Sequence, residues 1–238
     1  MKVLILGASG ATGKLVVSQL INREINIRIV IRKNAILSDN ILNNKLVEIV
    51  YGNIAELDPI ENKNLIEGCD SVVCCLGHNI TFKGLFGKPR LLVYTSIKNV
   101  CEAIIHYSPK KMKIILMNTV ANENKDVNEN RSLLGKMVLS ILGVLLPPHK
   151  DNVSAANYLL RVIGKDNEKI GWTAVRPDSL IDDDEVKPYE VFETIKRSPL
   201  FNPGKTSRIN VGHFMAELIT NDELWQKWKN KMPVIYNK

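Results

Sequence analysis

The sequence predicts an α/β fold in which a doubly wound, mostly parallel sheet carries helices on both faces. Three observations point there. Short apolar runs alternate with longer helical stretches along all 238 residues, a glycine-spaced turn joins the first run to the first helix, and turn or polar residues close the successive runs. An α/β unit of this length can bury a sizeable core without splitting, and no stretch rich in Pro, Gly or Ser divides it. Residues 1–238 are therefore read as one domain.

The first strand is expected over 2–6 and the first helix over 12–21, with Gly7-Ala8-Ser9-Gly10-Ala11-Thr12-Gly13 between them. Gly7 allows a sharp turn off the strand. Gly10 lets backbone N–H groups approach a phosphate with no side chain in the way, and Gly13 lets the helix pack closely with its positive dipole end toward the ligand. The spacing is G-x-x-G-x-x-G rather than G-x-G-x-x-G, yet the strand before it and the helix after it supply the context such a motif needs. Gly7, Ser9, Gly10, Ala11, Thr12 and Gly13 are thus expected to cradle a dinucleotide pyrophosphate, and the fold to be Rossmann-like.

The second strand, 27–31, ends where an NAD-specific protein places an acid on the ribose hydroxyl. Here stand Arg32 and Lys33. A carboxylate would repel a 2′-phosphate, whereas a guanidinium can grip it bidentately, so NADP(H) is favoured over NAD(H). Arg28 points the same way from inside the strand, and a merely solvated basic strand end is the bland alternative.

Further strands are expected over 46–51, 71–76, 113–117 and 172–175, and helices over 59–67, 91–107 and 151–163. In such a sheet the ligand crevice lies at the carboxyl ends of the strands. Gly7, Arg32, Gly52-Asn53, Gly77, Asn118-Thr119 and Arg176-Pro177 all fall there, with Pro177 placed among the cofactor contacts. The loop 79–87 is either a roof over the nicotinamide or a surface loop with Phe82 and Phe86 buried. Segment 133–146 is strongly apolar, interrupted by Lys136 and closed by Pro147-Pro148; it is too short for an integral membrane span. A buried or lid helix is the preferred reading, with a subunit or membrane-surface contact left open.

The formal charge of +7 is scattered, and its densest run, Lys110-Lys111-Met112-Lys113, has no aromatic interleaving, so no nucleic-acid partner is expected. The basic field suits an anionic cofactor. Cys69, Cys74, Cys75 and Cys101 lack metal-ligand spacing, and Cys74 and Cys75 must face opposite sides of one strand. Free core thiols and an N-terminus without a signal peptide indicate a cytoplasmic protein, and no metal is expected. Of the histidines, His78 follows Gly77 into the crevice and His149 precedes the helix after strand five. His106 is expected to serve a helix C-terminus, and His213 to be structural.

Taken together, Gly7–Gly13, Ile31-Arg32, Tyr51-Gly52-Asn53-Ile54, Cys74-Cys75-Leu76-Gly77 and Trp172 to Pro177 resemble the atypical branch of the short-chain dehydrogenase/reductase superfamily. The tail Asn210-Val211-Gly212-His213-Phe214-Met215 is similar to the biliverdin-IXβ/flavin reductase group. The resemblance implies that Asn53 and Ile54 hold the adenine and that Leu76 and Gly77 cover the cofactor. It also implies that Asn118, at the strand-five end, flanks the nicotinamide, and that C-terminal elements shape the substrate side.

This chain departs from that pattern in its chemistry. After strand five it reads Met117-Asn118-Thr119-Val120 with no Ser, and 148–152 hold no Tyr. A literal Tyr94-Thr95-Ser96-Ile97-Lys98 occurs, but in the helix before strand five. The usual proton-donating dyad is read as absent, with Thr119 and His78 as candidate catalytic residues instead. The expected activity is NADPH-dependent reduction of a small-molecule acceptor: a flavin, tetrapyrrole, quinone or small carbonyl. A non-catalytic NADP(H)-binding regulator, similar to the nitrogen-metabolite repressor type, is the alternative. A nucleotide-sugar epimerase is disfavoured by the missing dyad. Oligomerisation is left open.

Overall fold

The computed structural model describes residues 1–78, 91–129, 137 and 147–238. The elements, in order, begin with β1 (Lys2–Leu6), α1 (Gly13–Ile21), β2 (Asn26–Ile31), α2 (Asp39–Leu42), β3 (Val47–Tyr51), α3 (Pro59–Ile66) and β4 (Ser71–Cys74). Then come α4 (Leu92–Tyr107), β5 (Met112–Met117), α5 (Pro147–Asn157), a π-helical turn over Tyr158–Ile163, and β6 (Ile170–Pro177). The C-terminal part contains β7 (Ser179–Ile181), β8 (Tyr189–Phe192), β9 (Lys205–Ser207), α6 (Arg208–Thr220), α7 (Asp222–Trp228) and β10 (Val234–Asn237).

The main sheet runs β3-β2-β1-β4-β5-β6-β10-β8. Every neighbouring pair is parallel except β10 with β8. The order reverses between β1 and β4, which opens the crevice at their carboxyl ends. Strands β7 and β9 form a separate parallel pair beyond the end of β6. The expected doubly wound sheet is therefore found, widened by two strands at one edge.

Alternation along buried strands divides the core in two. Leu4, Leu6, Val72 and Cys74 face α4 and α5, while Val3, Ile5, Val73 and Cys75 face α1 and α6. Cys74 and Cys75 thus lie on opposite faces, as the sequence requires. Burial pushes the Cys74 thiol up to about 12. The three lysines of the basic run are tied into the opposite end of the sheet. Lys110 pairs with Asp70, Lys111 donates to the Asn167 carbonyl, and Lys113 pairs with Asp222 over the Trp225 ring. Among the described residues no helix is long and apolar enough to cross a membrane. The segments 79–87 and 133–146 lie outside the described residues, apart from exposed Met137.

Candidate active site

The turn from β1 to α1 is built on close approach. Gly7 has φ +80°, and a Cβ there would lie 2.7 Å from the Cys75 carbonyl carbon where the chain leaves β4. A Cβ on Gly13 would lie 2.0 Å from the Gly7 oxygen, so this glycine seats the helix on the turn itself. Gly10 donates its N–H to the Gly7 oxygen at 3.0 Å, and a Cβ on it would lie 3.2 Å from that oxygen and 4.0 Å from the Cys75 oxygen. Ser9, Gly10 and Ala11 are exposed, and Thr12 and Gly13 are buried beneath them. Helix α1 has no acid in its first turn, and Thr12 makes no side-chain cap. Its N-terminal end therefore keeps the positive potential that an anion would meet.

Around this turn the other strand ends converge. Arg32 and Lys33 follow β2 and are exposed; no ion pair or hydrogen bond engages either side chain among the described residues. Arg28, in contrast, is committed elsewhere. It pairs with Glu48 at 2.9 Å and donates to the Asn64, Leu65 and Glu67 carbonyls at the end of α3. As expected from its place inside the strand, residue 28 sits mid-strand, paired with Leu4 and Glu48, away from the carboxyl end. Asn53 is half-buried after β3, its side-chain oxygen accepting from the Ala55 N–H at 3.4 Å, and Ile54 is buried. Leu76 packs against the core on the α4 side, and Gly77 is exposed in open space.

At the end of β5, Asn118 is buried and its amide donates to the Asn152 carbonyl of α5 at 2.8 Å. Its oxygen accepts from the Thr119 N–H at 2.9 Å. The Thr119 hydroxyl accepts from the Ala121 N–H at 3.2 Å, which makes it a turn-forming residue, half-buried. Pro177 is buried at the end of β6, its carbonyl accepting from Val120. The predicted residues thus gather at one end of the sheet, with 7–13, 76–78 and 118–119 at β1, β4 and β5, and Arg32, Asn53 and Pro177 on the flanks.

The histidines sort as follows. His78 Nε2 lies 2.8 Å from Asp151 Oδ2, with the two side chains 6% and 0% exposed. His149 lies in α5, not in a loop before it. His106 reaches the Glu102 carbonyl in the last turn of α4, and His213 meets the Tyr189 hydroxyl at 2.9 Å. Tyr94 and Lys98 part company, since Tyr94 packs edge-on against Tyr158 at 5.9 Å while Lys98 pairs with Glu102 at 3.7 Å. Among the described residues no group of three His, Cys, Asp or Glu side chains could hold a metal ion.

Asp151, which the sequence did not single out, and Arg176, expected at a strand end, both shape this end of the sheet. Asp151 accepts from His78 and also from the Val93 and Tyr94 N–H groups, both at 2.8 Å. Arg176 is fully buried, pairs with buried Glu129 at 2.6 Å, and donates to the Met232 and Asn122 carbonyls at 2.8 and 2.9 Å. Neither carries a local signal, because each finds its partners far along the chain.

The profile of the NAD(P)H-binding family matches residues 7–222. No curated protein matches the sequence significantly. Solved structures share the fold. A short-chain dehydrogenase/reductase (wide type) from Veillonella parvula DSM 2008, in complex with NADP, is 14% identical, covering 99% of this chain and 94% of its own, with TM-score 0.68. An anaerobillin reductase from Escherichia coli O157:H7 is 13% identical over 100% and 97%, with TM-score 0.69. A candidate NADH-flavin reductase from Streptococcus pneumoniae TIGR4 is 14% identical over 100% of both chains, with TM-score 0.66.

Proposed function

We propose that this chain, which belongs to the NAD(P)H-binding family, is an NADPH-dependent reductase passing hydride to a conjugated small-molecule acceptor. One observation carries the cofactor half of this reading. An uncapped helix N-terminus on a glycine turn faces the same sheet end as Arg32, an exposed guanidinium with no protein partner among the described residues. The residues fit NADP(H). Backbone donors at Ser9 to Gly13 would hold the pyrophosphate, Arg32 with Lys33 the 2′-phosphate, Asn53 and Ile54 the adenine, and Leu76, Gly77, Asn118 and Pro177 the nicotinamide half. NADPH supplies hydride when bound; the chain orients it and excludes water.

On the acceptor side, Thr119 and His78, just past the ends of β5 and β4, are the polar candidates. Flavins, linear tetrapyrroles, quinones and small carbonyls suit a site without a strong resident acid, and the neighbours named for flavin and anaerobillin reduction favour the first two. The second reading is a non-catalytic NADP(H)-binding sensor. It is favoured by the separation of Tyr94, packed on Tyr158, from Lys98, paired with Glu102. Loss of NADPH absorbance in the presence of FMN, biliverdin, menadione or small aldehydes separates the two. Sustained turnover with any of them supports the reductase, whereas saturable NADPH binding with no turnover supports the sensor.

A further inference from the structure

Helices α3 and α4 leave between them a cleft of about 330 Å³, lined by none of the residues assigned above to cofactor or acceptor. A cleft of that size is enough for a small ligand. Glu102, Ala103 and His106 recur on one face of α4 at three- and four-residue spacing, and Asn62 of α3 stands in the facing wall. Leu57 and exposed Tyr107 add apolar surface. Among the described residues no lysine or arginine lines it.

The groups whose hydrogen-bonding sense is fixed are acceptors. Asn62 is buried, and both hydrogens of its amide are spent, with Nδ2 donating to the Leu57 and Asp58 carbonyls at 3.0 and 2.9 Å. Carbonyl oxygens only accept, so these two bonds settle which end of the amide is nitrogen. The other end, Oδ1, is buried with no hydrogen-bond partner. An orphaned buried acceptor is costly and rare enough to need a reason. His106 has the same sense. Its Nδ1 lies 2.8 Å from the Glu102 carbonyl oxygen, so that nitrogen carries the proton and Nε2 of the neutral ring accepts. The Glu102 carboxylate also accepts, and Lys98 holds it only at 3.7 Å across a solvent-exposed pair. Asn99 and the Tyr107 hydroxyl can serve either way.

We infer that this cleft is a second binding site, which takes a planar aromatic molecule carrying N–H donors. The ring lies against Leu57, Ala103 and Tyr107, and one N–H satisfies Asn62 Oδ1. That oxygen is covered in this structure, so binding requires the adjoining side chains to part, and the Asn62 amide is the group that reports it. The inference is independent of the reductase reading, because the cleft shares no residue with that site.

The test compares 5-aminoindole with 1-methylindole, the same ring with and without N–H donors. Both are titrated into nitrogen-15-labelled protein, with the Asn62 side-chain signals assigned through Asn62→Leu. 5-Aminoindole is expected to bind saturably, with Kd of about 1 mM or tighter, and to move the Asn62 side-chain signals. It should bind at least about tenfold more tightly than 1-methylindole, the worth of one or two hydrogen bonds. Filling the cleft with Ala103→Met should remove binding, and Asn62→Leu should abolish the preference for the N–H probe. Should either variant fail to fold, the wild-type comparison still decides. Absence of a saturable shift, an unmoved Asn62 side chain, equal affinity for the two indoles, or undiminished binding by folded Ala103→Met overturns the inference.

Discussion

Gly10 and Gly13 stand three residues apart in one turn and bear different loads. A Cβ on Gly13 would sit 2.0 Å from a backbone oxygen, so Gly13→Ala must push α1 off the turn. A loss of about 1–3 kcal/mol is expected from such overpacking, read as a lower urea midpoint. Gly10 has ordinary φ and more room, so Gly10→Val should fold and yet block approach to the turn. Calorimetry should then find no NADPH binding in a cooperatively folding protein. Unchanged affinity would remove the phosphate site from this turn. His213 gives a pH prediction. Burial, with the Arg23 charge adding to it, holds its imidazole below the ordinary 6.5. The unfolded chain then binds this proton at higher pH than the folded one, so the site's contribution is present above 6.5 and lost as pH falls below it. The urea midpoint should drop between about pH 7 and 5, and drop less in His213→Gln. The close packing at Gly13 was legible in the sequence because the atoms it meets, on Gly7 and Ala8, lie in the same turn. The partners of Arg28, Asp151 and Arg176 were not, because sequence periodicity says which face a residue occupies and nothing about which distant carbonyl it meets.

At the scale of elements, the alternation of strands and helices was legible nearly throughout, and the differences have local causes. β4 stops at Cys74, not 76, because its partner β1 ends at Leu6, opposite Cys74. Residues 147–150, ahead of the expected start at 151, are already helical in α5. Its continuation over Tyr158–Ile163 is π-helical, which no apolar spacing announces. Strands β7 to β10 hold only three or four residues each, too few for a period to show. Helix placement also frames a test of Tyr94. Tyr94 lies in α4 against Tyr158, so Tyr94→Phe should keep turnover within about twofold once an acceptor is identified, a surface-like change for a ring that stays packed. Elimination of turnover with intact NADPH affinity would restore Tyr94 and Lys98 as the catalytic pair.

At the scale of the whole molecule, buried Arg176 ties several elements together at this end of the sheet. Arg176 joins the end of β6 to the loop after β5 through Asn122 and Glu129, and to the approach to β10 through Met232. Removing one partner of a buried pair leaves the other charge uncompensated, so Arg176→Met should cost about 3–5 kcal/mol in equilibrium unfolding. A loss under about 1 kcal/mol would mean that the pair contributes little beyond apolar packing. The doubly wound order of the sheet then explains why one end of the molecule gathers the glycine turn, Arg32, Asn53, Gly77 and Asn118, although they are spread over more than a hundred residues. The central claim is that this end binds NADP(H) and reads its 2′-phosphate with Arg32. Calorimetric titration of wild type and Arg32→Ala with NADPH and with NADH tests it most directly. The wild type should prefer NADPH, and the variant should lose about 1.5–3 kcal/mol for NADPH, roughly ten- to a hundredfold, with NADH affinity nearly unchanged. Equal losses for both cofactors, or a wild type that prefers NADH, would contradict it.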